Sequence, residues 1–97
     1  MAGGIYQIRQ LSTGKKYIGS THNFALRKTN HVSELNCQSH LNPYLLSAWQ
    51  KYGEDDFVFE ILEVVQDESQ LLIREQWYLD NVVVWRFDFN IATVADC

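Results

Sequence analysis

The chain has 97 residues, a length typical of one domain. Apolar residues make up 46% and charged residues 21%, with a single proline, which excludes a mostly disordered chain. No apolar run reaches the length of a membrane span, and the opening MAGGIYQI lacks the charged and apolar regions of a signal peptide. Two cysteines are too few for a disulfide framework, so we expect a reduced, intracellular setting and no membrane partner.

The net charge of −4 hides an asymmetry between the two halves of the chain. Residues 1–51 carry six lysines and arginines against one acid, whereas residues 52–97 carry two against eleven acids. The acidic total argues against a general nucleic-acid binder, but the basic half could face an anionic partner. The alternative is that the acidic half simply keeps the domain in solution.

The first elements in chain order form a predicted β-hairpin. Residues 4–9 (GIYQIR) and 16–20 (KYIGS) carry β-forming residues, and Gly14 between them suits a turn with positive φ. If the strand register allows it, Tyr6 and Tyr17 project to the same face of the hairpin. Two such tyrosines are ordinary core residues in most proteins. Gly19, however, also lets a backbone or a ligand approach closely.

Three helices and one further strand follow. Asn23 predicts a cap for a helix over residues 24–36, and Asn42 caps a second helix that has Pro43 at its first position and Gly53 as its stop. Residues 56–65 predict a strand, and residues 67–81 predict a third helix with its cap. The order ββααβα indicates one α+β domain, with a small, mostly antiparallel three-stranded sheet flanked by helices.

Two sets of polar residues are candidates for a functional role. Glu75 falls between Leu71 and Leu79 in the apolar stripe of the third helix, where a carboxylate is either salt-bridged or functional. Arg27 and His31 lie four residues apart and share a helix face, an arrangement that suits a phosphate group. The alternative for this pair is an exposed polar face.

Taken together, these residues resemble the GIY-YIG nuclease family. Residues 4–6 and 17–19 match the two tripeptides of its name. The other matches are Arg27, His31, Glu75 and Asn90. The stretches NPYLLSAWQKYGEDDF and IREQWYLDN are similar to the N-terminal nuclease modules of phage-type homing endonucleases. The resemblance therefore implies that residues 1–97 form a single catalytic domain, truncated from a longer chain with a C-terminal DNA-binding region.

The resemblance also implies a reaction, the hydrolysis of DNA phosphodiester bonds with one Mg²⁺ or Mn²⁺ ion. Glu75 would bind the metal, which suits a cation that prefers oxygen ligands and keeps several waters. Arg27 would hold the phosphate oxygens in the transition state. The general base would be Tyr6 or His31, because a free tyrosine has a pKa of about 10 and needs positive charge or a proton acceptor nearby. Tyr17 would orient water or phosphate, and Asn90 would tie the site together.

The partner implied by the resemblance is double-stranded DNA, bound weakly by a monomeric module. The candidate DNA contacts are Lys15, Lys16, Lys28, His40 and Lys51. The alternative is that the exposed lysines only keep the chain in solution. Lys28 departs from the many relatives that carry an aromatic residue at this position. Sequence specificity would come from another domain or a partner. The competing functions are a non-catalytic DNA-binding or assembly domain and a nuclease subunit of a DNA repair complex.

Overall fold

The computed structural model describes residues 3–38, 42–82 and 88–89. Every predicted element is present within one or two residues of its expected ends, and Glu54–Asp56 adds a short 3-10 turn that the sequence pattern did not predict. The elements are β1 (Gly4–Gln10), β2 (Lys16–Thr21), α1 (Phe24–Asn36), α2 (Pro43–Tyr52), β3 (Phe57–Val64) and α3 (Glu68–Asn81). No described helix is long and apolar enough to cross a membrane.

The three strands form one antiparallel sheet in the order β2-β1-β3, which confirms the predicted fold class. In the β1–β2 pair, Gly19 lies opposite Tyr6 and Tyr17 lies opposite Ile8. Because side chains alternate along a strand, this register places Tyr6 and Tyr17 on the same face of the sheet. The hairpin prediction is confirmed, and Gly14 has the expected positive φ of 76°.

Helices cover both faces of the sheet. On the face that carries Tyr6 and Tyr17, which we call the α1 face, α1 and α2 pack over a core formed by Ile8, Leu35, Leu45, Trp49, Phe57 and Phe89. On the opposite face, the α3 face, Leu79 packs against Ile5 and Ile18. The two apolar layers fix the helices relative to the strands, and the helices in turn position the side chains of Arg27, His31 and Glu75.

Each helix begins at the predicted cap. The side chain of Asn23 accepts a hydrogen bond from the backbone N–H of Leu26, and Asn42 accepts from Tyr44 and Leu45. Asp67 caps α3 through the N–H of Ser69. These caps fix where α1 and α3 begin. They therefore help to determine the side of the helix on which Arg27, His31 and Glu75 lie.

The first glycine of the GIY tripeptide is required by the approach of β3. Gly4 has a φ of 152°, and a Cβ placed on it would overlap the carbonyl oxygen of Glu63. A β-bulge lies next to it, where the pairing with β3 shifts between Ile5 and Tyr6. The close approach of the two strands thus fixes the backbone immediately before Tyr6.

Candidate active site

Tyr6 lies at the centre of a hydrogen-bonded group on the α1 face. Its side chain comes from β1 and is 1% exposed. The Tyr6 hydroxyl oxygen is 2.6 Å from Nε2 of His31, and Nε of Arg27 donates to the same oxygen over 3.3 Å. Arg27 and His31 therefore do share one side of α1, as predicted. The alternative of an exposed polar face is wrong for His31, which is also 1% exposed.

Aromatic rings hold this group in place. The ring of Phe59 stacks on Tyr6 with 4.9 Å between centroids. Tyr17 meets the imidazole of His31 edge-on at 5.7 Å. Such ring pairs favour defined orientations, so the Tyr6 phenol and the His31 ring have little freedom to rotate.

Gly19 explains why the second tripeptide ends in glycine. A Cβ on this residue would lie 2.6 Å from the Tyr6 hydroxyl oxygen and 2.8 Å from the ring carbon that bears it. Since Tyr6 is stacked on Phe59, its ring cannot move aside cheaply. Gly19 therefore makes room for the phenol of the residue paired with it across the hairpin.

Burial determines the charge states within this group. It raises the pKa of the Tyr6 phenol far above its ordinary value, Tyr17 adds to the rise, and the Arg27 guanidinium opposes it. Burial likewise raises the pKa of Tyr17, again against the influence of Arg27. For Arg27, burial alone would lower the pKa, but the hydrogen bond to Tyr6 and its other neighbours outweigh burial and raise it. The group thus consists of neutral phenols beside a permanent cation.

Glu75 approaches from the other face of the sheet. It lies on the buried side of α3 between Leu71 and Leu79 and is 5% exposed. The Ser20 hydroxyl of β2 donates a hydrogen bond to the Oε1 atom of Glu75. The charge of Glu75 contributes to the raised pKa of both Tyr6 and Tyr17, so the carboxylate acts electrostatically on the phenols of the α1 face. Four elements, β1, β2, α1 and α3, therefore contribute to one site.

The donor set around Glu75 fits a hard divalent cation with few protein ligands. Among residues 3–38, 42–82 and 88–89, no three histidines, cysteines or acids come together as a metal cage. A single buried carboxylate beside a hydroxyl leaves most of the coordination sphere to water and substrate oxygens, which is how Mg²⁺ commonly binds. Among the described residues, the Glu75 carboxylate fits this mode of binding.

The predicted residues Asn90 and His40 lie outside the described residues. The two residues before Asn90 are nevertheless attached to the start of β2. Phe89 donates its N–H to the carbonyl of Lys16 over 2.8 Å, and its own carbonyl accepts from the Asn42 side chain at 2.7 Å. Asp88 accepts from the Lys16 backbone N–H and forms a 2.8 Å ion pair with its ammonium group. Lys16, predicted as a DNA contact, thus has a structural partner.

The other predicted DNA contacts are distributed over several elements. Lys28 and Lys51 are exposed on α1 and α2, whereas Lys15 is half-buried in the hairpin loop. Lys28 borders a cavity of about 650 Å³ whose lining includes Trp49, Phe57 and Phe59.

Sequence reasoning missed three neighbours of the site. Ser20 contacts Glu75, Phe59 stacks on Tyr6, and the charge of Glu34 acts on Arg27 and Tyr17. A signal for Ser20 was available, because it follows Gly19 directly and so must point to the opposite face of β2. Phe59 and Glu34 become visible only when β3 and α1 are packed on the same sheet face.

A family model described as the GIY-YIG catalytic domain matches residues 2–83, a range that includes Tyr6, Tyr17, Arg27, His31 and Glu75. The chain belongs to the GIY-YIG family. It is 34% identical over 95 residues to "Intron-associated endonuclease 1" of Enterobacteria phage T4. It is also 35% identical over 89 residues to "Probable intron-encoded endonuclease 1" of Neurospora crassa. The matches cover 95% and 91% of this chain but only 38% and 28% of those relatives.

Solved structures agree with this assignment. The catalytic domain of the homing endonuclease I-TevI superimposes with a TM-score of 0.85 at 27% identity, covering 93% of this chain and 98% of that one. A point mutant of the same catalytic domain gives a TM-score of 0.88, also at 27% identity, with 98% of both chains covered. This GIY-YIG domain thus has the fold of the I-TevI catalytic domain.

Proposed function

We propose that this GIY-YIG domain is the catalytic module of a homing-type DNA endonuclease that hydrolyses phosphodiester bonds with one divalent cation. The observation that carries the proposal is the convergence of Tyr6, Arg27 and His31 with Glu75, from three elements and both faces of the sheet. A domain that kept the fold only to bind DNA has no need of a buried phenol–imidazole pair beside a buried carboxylate.

Arg27 binds the scissile phosphate. It remains cationic, and its Nε already points at the Tyr6 hydroxyl. A guanidinium can donate two parallel hydrogen bonds to phosphate oxygens, and its charge stabilises the additional negative charge of the transition state. The hydrogen bond from Arg27 to Tyr6 also places the phosphate next to the group that activates water.

Tyr6 and His31 act together as the general base. A pKa raised by burial means that Tyr6 is neutral near pH 7 and does not act as a preformed phenolate. With the imidazole protonated on Nδ1, the Tyr6 hydroxyl donates to Nε2 over 2.6 Å. As water attacks phosphorus, its proton passes to the Tyr6 oxygen while the phenolic proton moves to His31. The pair thus avoids a charged phenolate, and the imidazole carries the proton.

Glu75 supplies the metal site. A bound Mg²⁺ or Mn²⁺ would stabilise negative charge on the leaving oxygen of the DNA strand. Glu75 contributes a carboxylate held on a rigid helix, and Tyr17 on the α1 face has a hydroxyl suited to orienting water or phosphate. Asn90, from its position in the family motif, is assigned to tying the site together.

The proposed substrate is double-stranded DNA, cut by a monomeric module that obtains its sequence specificity elsewhere. The chain spans 38% and 28% of the length of the two intron endonucleases it matches, so most of each relative lies outside the matched catalytic part. Exposed Lys28 and Lys51 suit contacts with the DNA backbone. With so few basic residues, affinity for DNA should be low and highly sensitive to salt.

The test is cleavage of supercoiled plasmid at low salt by the domain fused to a sequence-specific DNA-binding domain, with Mg²⁺ or with EDTA. We expect cleavage with Mg²⁺ and none with EDTA. Glu75→Gln should abolish it by removing the ligand charge at constant size. Arg27→Ala should slow it by about 100- to 1000-fold, the usual loss when a transition-state hydrogen-bond donor is removed.

Glu68→Gln provides a matched control, because Glu68 is an exposed carboxylate on the same helix. This variant should cleave at the wild-type rate. A folded wild-type fusion that binds DNA but does not cut it with Mg²⁺ or Mn²⁺ would contradict the enzyme and favour a non-catalytic DNA-binding domain. Cleavage that persists in EDTA would refute the metal requirement alone.

A further inference from the structure

Ser20 and Glu75 meet because of how β2 packs on α3. Ile18 points to the α3 face and packs in the same apolar cluster as Leu79. Ser20 is two residues further along the strand, on the same face, and Glu75 is one helical turn before Leu79. The apolar contact therefore determines which hydroxyl meets the carboxylate, and the Ser20 hydroxyl donates to the Oε1 atom of Glu75.

The same strand presents different residues to its two faces. Tyr17 and Gly19 belong to the α1 face, where Gly19 accommodates the Tyr6 phenol. Ser20 is thus next to a residue that cannot change without disturbing Tyr6, and it is itself directed at Glu75. Its position follows from the strand geometry of the YIG tripeptide, although no part of the tripeptide motif specifies a serine there.

We propose that Ser20 is a positioning residue that orients the Glu75 carboxylate for binding a divalent cation. The inference rests on the proposed metal role of Glu75. A glutamate side chain has three rotatable bonds, so a free carboxylate must give up conformational entropy when it binds an ion. The Ser20 hydrogen bond restricts that motion in advance. Groups that hold a metal ligand in this way typically contribute 10- to 100-fold to metal affinity.

The test measures Mn²⁺ binding to the isolated domain without DNA, from the electron paramagnetic resonance signal of the free ion. Ser20→Ala should raise the Mn²⁺ dissociation constant by about tenfold or more. Ser20→Thr and Ser20→Val form a matched pair, since they have nearly the same shape and differ in the hydroxyl. Threonine should retain affinity within about threefold of wild type, and valine should lose it as alanine does.

Two controls separate this inference from the proposed function. Ser33→Ala, at an exposed position of α1, should bind Mn²⁺ as wild type does. Glu75→Gln should lose the site altogether. If Glu75→Gln binds Mn²⁺ normally, the metal role of Glu75 fails, and the inference fails with it. If only Glu75→Gln loses binding while Ser20→Ala and Ser20→Val retain it, Ser20 does not position the ligand and the proposed function stands. Equal weakening by threonine and valine would also overturn the inference, because the hydroxyl would then not matter.

Discussion

The two faces of the sheet contribute different chemistry to one site. On the α1 face, Tyr6, His31 and Arg27 are joined by hydrogen bonds into a group whose members can exchange protons or bind a phosphate. On the α3 face, Glu75 is a buried carboxylate that accepts a hydrogen bond from the Ser20 hydroxyl, an arrangement that fits a cation. The proposed proton transfer and the proposed metal binding therefore depend on hydrogen bonds on opposite faces of the sheet.

β2 is the element that connects these two regions. Its alternating side chains serve both, with Gly19 towards the α1 face and Ser20 towards the α3 face. The strand lies at the end of the sheet order, and its first residue is fastened by Asp88 and Phe89. A shift of β2 by one residue would exchange the faces and disrupt both regions at once.

The largest expected effect is on the cleavage rate, when Tyr6 or His31 of the α1 face is substituted. We expect Tyr6→Phe to lower the cleavage rate by about 100- to 10,000-fold, the usual range for loss of general acid–base catalysis, and His31→Ala to lower it similarly. Because both residues handle the same proton, the double variant should be only slightly slower than either single variant. The measurement is the single-turnover rate of DNA cleavage by the fused domain for all four proteins.

The substitutions on the α1 face should leave Mn²⁺ binding on the α3 face unchanged. Tyr6→Phe and His31→Ala should bind the ion within about twofold of wild type, because the hydrogen bond between Ser20 and Glu75 does not involve them. Tyr52→Phe, at an exposed position, should cleave normally. Rate losses that multiply in the double variant would show that Tyr6 and His31 act in separate steps, contrary to a shared proton path.

The sequence predicted the elements of this fold because their signals are local. Asn23, Asn42 and Asp67 act as helix caps within three residues of their own positions, and each helix starts where its cap predicts. Likewise, the spacing of Arg27 and His31 on one helix was sufficient to place them on one side. Such features need no knowledge of the tertiary structure.

The contacts that the sequence did not reveal depend on packing between distant elements. The contact of Ser20 with Glu75 requires the position of α3 on β2, and the stacking of Phe59 on Tyr6 requires the register of β3. Glu75 was recognised as anomalous in an apolar stripe, yet its partner was 55 residues away in sequence. The sequence indicates that a backbone or a ligand can approach Gly19 closely, but it does not identify the group. The pairing of β1 with β2 shows that this group is the Tyr6 phenol.

A smaller effect is expected from Gly19→Ala, which should impair the α1 face alone. The added methyl group would overlap the Tyr6 phenol, whose ring is confined by Phe59. We expect a destabilisation of about 1–3 kcal/mol from overpacking, measured by urea unfolding. The rate of cleavage should also fall, because the phenol must move away from His31, whereas Mn²⁺ affinity should stay within about twofold of wild type.

Introducing Gly19→Ala into the Tyr6→Phe variant tests whether the destabilisation comes from overlap with the Tyr6 hydroxyl. The Tyr6→Phe substitution removes the hydroxyl oxygen that lies 2.6 Å from the added carbon, so Gly19→Ala should be less destabilising in Tyr6→Phe than in wild type. The ring carbon at 2.8 Å remains, and the relief should therefore be partial. Equal destabilisation in both backgrounds would contradict a clash with the hydroxyl.

The smallest effect is a dependence of stability on alkaline pH that belongs to the α1 face. Burial raises the pKa of Tyr6 and of Tyr17 in the folded domain, whereas an unfolded tyrosine ionises near pH 10. Below pH 10 both states are protonated and this contribution to stability is fully present. Above pH 10 the two phenols ionise in the unfolded chain but stay protonated in the folded domain. The free energy of unfolding should then fall with pH, with a slope that approaches a limit of about 1.4 kcal/mol per pH unit for each phenol that stays protonated in the folded domain.

Urea unfolding between pH 8 and pH 11 would measure this slope. Tyr6→Phe should reduce the slope by the contribution of one phenol, and Tyr17→Phe should do the same. This holds whatever effect either substitution has on stability at pH 8. Tyr44→Phe, at an exposed position, should leave the slope unchanged. If Tyr6→Phe keeps the wild-type slope, Tyr6 ionises as readily in the folded domain as in the unfolded chain. The paired proton transfer to His31 would then lose its physical reason, because a phenolate could form directly.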